Sequence, residues 1–205
     1  MKNLIFRQQE KVIQALGQHN IPGLRWLLEG FNYYDVQRVK DVGPDRAAAE
    51  WIVRCGGSIT FDKIDDSFSD YNALIKRTAE LDPRLPQDNV KLTDIDASHS
   101  SVTGFGCRHF KGLSGLQNVR FAHCKNLHDF GLETMGEHVG GHLKSLELGS
   151  CRRISEFGLA HLKLFKKLEV LKLYDLTGVY KISRSLDQLH EALPNTDIKY
   201  SEKNV

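Results

Sequence analysis

The chain lacks several features that would assign it to a class at once. It carries 28 basic against 26 acidic residues, a formal net charge of +2, so there is no basic excess of the kind that marks a nucleic-acid partner. No apolar run approaches the roughly 18 to 20 residues needed to cross a bilayer, which excludes a transmembrane ion path made by this chain. Its four cysteines, Cys55, Cys107, Cys124 and Cys151, form no CxxC pair and are too widely spaced for a disulfide-stapled miniature fold. Free, buried thiols in a reducing compartment are the expectation. There is no GxxxxGK[ST] phosphate loop and no nucleophile elbow. Asp96, Ser98 and His99 are the residue types of a hydrolytic triad, but in a continuing strand His99 points away from the other two. The histidines are scattered, and His99 and His123 have no third ligand for zinc. These absences disfavour an enzyme, and no small-molecule substrate is expected.

What remains is ordinary globular material. Of its 205 residues 40% are hydrophobic and 26% charged, which fits one large domain or two small ones. Residues 1–20 carry Lys2, Arg7 and Lys11 against Glu10, with Leu4, Ile5, Val12, Ile13 and Leu16 able to share a helix face. That segment reads equally as a mitochondrial targeting sequence or as a first helix.

The strongest positive signal is a repeat. LTDIDASHSSVTGFGC from Leu92, LQNVRFAHCKNLHDFGL from Leu116, LKSLELGSCRRISEFGL from Leu143 and LEVLKLYDLTGV from Leu168 share one pattern, at intervals of 24, 27 and 25 residues. Those intervals lie in the leucine-rich-repeat range. The apolar triplets are Leu92/Ile95/Ala97, Leu116/Val119/Phe121, Leu143/Leu146/Leu148 and Leu168/Leu171/Leu173, with a degenerate fifth strand at Ile198 and Tyr200. Each unit supplies one short strand to a parallel sheet and returns through a convex helix; no unit can bury its apolar face alone, so neighbours must stack. Phe130, Leu132 and Met135, then Phe157, Leu159, Leu162 and Phe165, are the expected convex contacts, and Gly131 and Gly158 the expected tight turns. Cys124 and Cys151 sit in C-x-x-[LI]-x-[DE]-x-G-L, the cysteine-containing subtype, with their sulfurs expected inside the turn after the strand.

The predicted fold is therefore α/β, a short leucine-rich-repeat solenoid over residues 90–205 with an N-terminal helical cap over residues 21–61. Leu24, Trp26, Leu27, Leu28 and Phe31 suggest a first cap helix, Val36 and Val39 a second, and Pro44 to Cys55 a third. Ile59 and Phe61 read as a strand leading the sheet, and residues 62–89 as an irregular connector. One inter-leucine column, Asp96, Arg120, Glu147, Lys172, alternates in sign and should face the concave side. Neighbouring strands lie about 4.8 Å apart, so this ladder is either surface pairing or a polar docking face for another protein.

The segment RVKDVGPDRAAAEWIVRCGG, with DYNAL, DIDAS and the cysteine-type repeats, resembles the mitochondrial ATP synthase subunit s (coupling factor B) family and its relatives in complex I distal-arm assembly. Asp41, Gly43 to Ala48, Glu50, Trp51 and Arg54 to Gly56 carry its most specific stretch, and the resemblance runs from about residue 24 to 199. It implies a non-catalytic mitochondrial protein on the matrix side of the inner membrane, peripheral to it, with subunits of ATP synthase or respiratory complex I as partners. It also implies a magnesium ion near Gly56 and Ser98, the latter a serine where the family has threonine. Only Cys124 remains of the family's Cys-x-Cys pair, the first place being Ala122. A different class also fits cysteine-type repeats, a substrate adaptor of a ubiquitin ligase; the Asp41 to Gly57 motif favours the first reading.

Overall fold

In the computed structural model the described residues are 25–82, 85 and 88–202. The possible targeting segment 1–20, Leu24, Pro83 and Pro86 lie outside them. Three short helices come first: α1 (Arg25–Phe31), α2 (Val36–Val42) and α3 (Pro44–Arg54). Asp35 caps α2 by accepting from the Arg38 amide. Gly43, at φ 85°, joins α2 to α3 in a conformation that side chains resist, and Pro44 opens the next helix where its missing N–H costs nothing.

A seven-stranded, mostly parallel sheet follows. Its strands are β1 (Ser58–Phe61), β2 (Ile64–Phe68), β3 (Leu92–Asp96), β4 (Asn118–Ala122), β5 (Ser145–Gly149), β6 (Val170–Tyr174) and β7 (Asp197–Ser201), in the spatial order β2-β1-β3-β4-β5-β6-β7. From β3 to β7 every pairing is parallel and follows chain order. Val119, Leu146, Leu171 and Ile198 share one register row, so the apolar columns read from the sequence do stack. The returns between these strands are a 3-10 turn (Gly106–Phe110), α5 (Asp129–Val139), α6 (Glu156–His161) with its 3-10 extension (Leu162–Leu164), and α7 (Ile182–Ala192). Leu132, Met135, Leu159, Leu162 and Phe165 are fully buried between sheet and returns, each removed from water at about 1.5–3 kcal/mol of gain.

Three expectations need correction. The stretch 62–89 is not simply irregular: it holds β2 and helix α4 (Tyr71–Ala79), capped by Asp70. Asp65 and Asp66 read as loop residues, but they sit on an edge strand, where charge protects unpaired backbone. Phe130 and Phe157 do not point into the convex core; they are 37% and 77% exposed. Gly131 and Gly158 are not turn glycines. A Cβ on Gly131 would meet the Leu127 side chain at 2.7 Å and Cys107 Sγ at 3.1 Å, and one on Gly158 would collide with Asp129. Both are required by close approach between neighbouring units.

The cap meets the sheet through the Asp41 to Gly57 segment. Asp45, buried on α3, accepts from the Leu92 amide at 2.9 Å and lies 3.4 Å from Lys91 Nζ; burial raises its pKa. Glu50 takes both Arg38 nitrogens at 2.6 and 2.9 Å. Trp51 Nε1 donates to Asn32 Oδ1 at 3.1 Å, and the same oxygen accepts from the Thr103 amide. The Cys55 carbonyl accepts from the Ser101 amide. Asp45, Asn32 and Cys55 therefore clamp the cap to the sheet, while Glu50 and Trp51 tie the cap helices to one another.

Candidate functional site

The face of the sheet turned away from the returning helices carries the polar columns of the strands. Register brings Asp96 beside Arg120, Arg120 beside Glu147 and Glu147 beside Lys172. Alternation fixes the direction: Ile95, Val119, Leu146 and Leu171 point inward, so the residues following them must face out. Arg120 Nε donates to Glu147 Oε1 at 2.8 Å, and its Nη1 lies 3.5 Å from Asp96 Oδ2. Tyr174 donates to the same Glu147 oxygen at 3.1 Å. The Tyr174 hydroxyl, then the charges of Glu147 and Asp96, raise the Arg120 pKa.

Only part of the expected ladder forms. Among the described residues no carboxylate lies within ion-pair distance of Lys172, which is in register with Lys199 on its far side. One end of the face thus carries Asp96 and Glu147 beside Arg120, and the other carries Lys172 next to Lys199, which pairs with Asp197 at 3.0 Å. A groove of about 410 Å³ runs over the acidic end and continues onto Ser58, Thr60 and Ser67 of the β1–β2 hairpin. Sequence reading missed Tyr174, which follows the column rather than belonging to it. Its ring occupies the space over Gly149, where any side chain would collide with it. Asn118, which donates to Asp94 Oδ1 at 2.6 Å, was legible as a second column two residues before the first.

Gly56 and Ser98 lie on either side of the cap–sheet junction, where Gly57 packs on the Asp96 carbonyl and Ala97. Gly56, at φ 90°, can offer a cation only its main-chain carbonyl. Ser98 turns back on Asp96, its amide and hydroxyl donating to Oδ1 at 2.9 and 2.5 Å. The Asp96 carboxylate is thus shared between Ser98 and Arg120. Magnesium favours carboxylates in near-octahedral array with several waters, and this donor set does not fit it. Among the described residues no group of three or more His, Cys, Asp or Glu side chains could hold a metal.

Cys124 is buried, its thiol donating to the Ala97 carbonyl of the preceding unit at 3.0 Å, and Cys151 repeats this on the Phe121 carbonyl at 3.6 Å. The neighbouring Cys151 thiol and burial push the Cys124 pKa up, away from thiolate chemistry. The triad residues do not assemble either. Strand β3 ends at Asp96, and His99 adopts φ 58° and stacks on His123 at 4.4 Å. His99, His123, Ser150 and Asp175 hold the same place in successive units, and all four have left-handed backbones. Each donates its amide to the next unit, from His99 to Ala122 at 2.7 Å through to Asp175 with Ser201 at 3.2 Å. That row turns the chain under the sheet while prolonging the ladder, which explains a conformation non-glycine residues seldom adopt.

No protein-family model matches the chain. It is 32% identical over 180 residues to the proteins named "ATP synthase subunit s, mitochondrial" of Bos taurus and Homo sapiens, covering 87% of this chain and 86% of each relative. It is 27% identical over 161 residues to "Distal membrane arm assembly component 2" of Drosophila melanogaster, covering 77% of this chain and 54% of that protein. The chain belongs to the mitochondrial ATP synthase subunit s family.

Proposed function

We propose, proceeding from that membership, that the chain is a non-catalytic mitochondrial interaction protein, peripheral on the matrix side of the inner membrane. It supports ATP synthase energy coupling or the assembly of a respiratory complex by docking a partner subunit on its concave face. Its parallel half is a short leucine-rich-repeat solenoid, a reading supported by the interval of 24 to 27 residues and the chain-order stacking of β3 to β7. Parallel sheets are normally covered on both faces; here one face is covered by the returns. The observation that carries the docking assignment is Arg120, fixed between Asp96 and Glu147 on the open face. Among the described residues no helix is long and apolar enough to cross a membrane, in keeping with peripheral attachment. The relatives are named as a subunit and an assembly component, in keeping with a role without catalysis.

Affinity capture from isolated mitochondria, at low and moderate salt, tests this directly. The wild-type chain should retain subunits of ATP synthase or of complex I. Arg120→Glu, which sets three acids in adjacent concave positions, should lose them while melting normally. Equal capture by both would move the docking surface elsewhere, and recovery of ligase scaffold proteins would favour the adaptor reading.

A further inference from the structure

Past the carboxyl ends of β4 and β5, on the edge of the sheet rather than its concave face, lies a second cavity of about 310 Å³. Its walls are α1 and the turns that follow Cys124 and Cys151. Those turns occupy corresponding places in adjacent units, C-K-N-L-H and C-R-R-I-S, and are bridged to each other at His128 and Arg153. Stacking them brings Lys125, Arg152, Arg153 and the His128 ring around one space. Glu29 is the one acid among the described lining residues.

In the open-face column Asp96, Arg120 and Glu147 alternate and pair, and only Lys172 beside Lys199 breaks the alternation. At this edge the adjacent units present the same sign. Like charges on adjacent turns repel, and an anion bound among them relieves that repulsion. Arg152 and Arg153 are exposed, and among the described residues neither has a carboxylate within ion-pair distance. The His128 ring is placed by three contacts: the bare Gly104 backbone beneath it, Phe105 at 5.8 Å and Phe130 at 6.3 Å. A Cβ on Gly104 would meet the ring at 2.5 Å. Phe105 and Phe130, 45% and 37% exposed, back the His128 ring without lining the cavity themselves.

We propose that this cavity binds a phosphate-bearing ligand, with Arg152, Arg153 and Lys125 on the phosphoryl oxygens. Guanidinium forks match phosphate oxygens in pairs, and an ammonium adds a compact charge. The volume is at the small end for a ligand site, so it admits a phosphoryl head and little more. A soluble phosphate ester and a phospholipid headgroup carry that same chemistry.

The experiment measures binding of two probes to the full chain. One is inorganic phosphate, by titration calorimetry; the other is phosphatidylcholine vesicles with and without phosphatidylglycerol, by co-sedimentation. Each is repeated with Arg152→Ala/Arg153→Ala and with Lys166→Ala/Lys167→Ala, an exposed pair at the opposite edge that removes the same charge. Binding of either probe, at least about tenfold weaker in the first variant and unchanged in the second, supports the site. Phosphate binding identifies a soluble ligand, and binding only to phosphatidylglycerol vesicles identifies a headgroup. Binding of neither probe, equal loss in both variants, or no loss in the first overturns it. Lys125→Gln repeats the test with a single change if the double variant melts early.

Discussion

The parallel half and the helical cap hold together by different means. Between β3 and β6 each buried position is answered by the same position one unit away: Ile95, Val119, Leu146 and Leu171, then Cys124 and Cys151 on the Ala97 and Phe121 carbonyls of the preceding units. In the cap, contacts are made by residues that occur once. Asp45 reaches Leu92, Glu50 reaches Arg38, and Asn32 joins Leu28, Trp51, Ser101 and Thr103. A repeat can lose one column element and keep the others, whereas the cap depends on single polar partners with no spare. Yet one continuous apolar core runs from Ala48 through Leu193, so the two regions should melt together.

The comparison can be broken at four places. Leu146→Asp places an unpaired charge at a fully buried position in the middle of a column; a loss of about 5 kcal/mol or more is expected. Circular dichroism in denaturant should show no folded baseline, and native-like melting would refute the register. Trp51→Ala removes a fully buried ring and the Asn32 bond, costing about 3–5 kcal/mol. A single shifted transition is expected, and two separate transitions would show that cap and sheet fold apart.

The third concerns His109, which stacks on Trp51 at 4.9 Å with Nε2 donating to the Tyr33 carbonyl and Nδ1 buried without a partner. Burial lowers its pKa from 6.5 to about 4. The unfolded chain therefore binds the proton first, so this contribution is complete above pH 6.5 and shrinks as pH falls toward 4. The full loss is on the order of 3 kcal/mol. His109→Gln should flatten that window in urea melts taken across it; an unchanged slope would mean that the ring is not the titrating group. Smallest is Arg120→Glu, whose partners are partly exposed. Its stability should move by no more than about 1 kcal/mol, and a larger drop in melting would make the ladder structural.

Much of the parallel half was legible because its rule is local and recurs. Leu146 and Leu148 announce a strand, and three similar segments announce its neighbours. The hairpin strand β2 was not legible, since IDDSF shows no alternation and its pairing with β1 supplies what pattern does not. Phe130 and Phe157 misled for a related reason: they hold an apolar residue type at a helix's first turn, where the neighbouring unit leaves them uncovered. At the candidate site Asp96, Arg120 and Glu147 followed from period and alternation, but the failure of Lys172 to continue the ladder needed the position of Lys199.

Sequence alone determined the apolar columns, the interval between units and the charge written along the open face of the sheet, because strand period and repeat length act between near neighbours in the chain. Tertiary structure decided what single residues meet at long range. Asp45 finds the Leu92 amide, His99 closes on His123, and Lys125 gathers with Arg152 and Arg153 around one cavity. Those encounters depend on how far each unit is displaced from the next and on which turn faces the cap. That geometry is set by close packing of the whole core rather than by any local spacing.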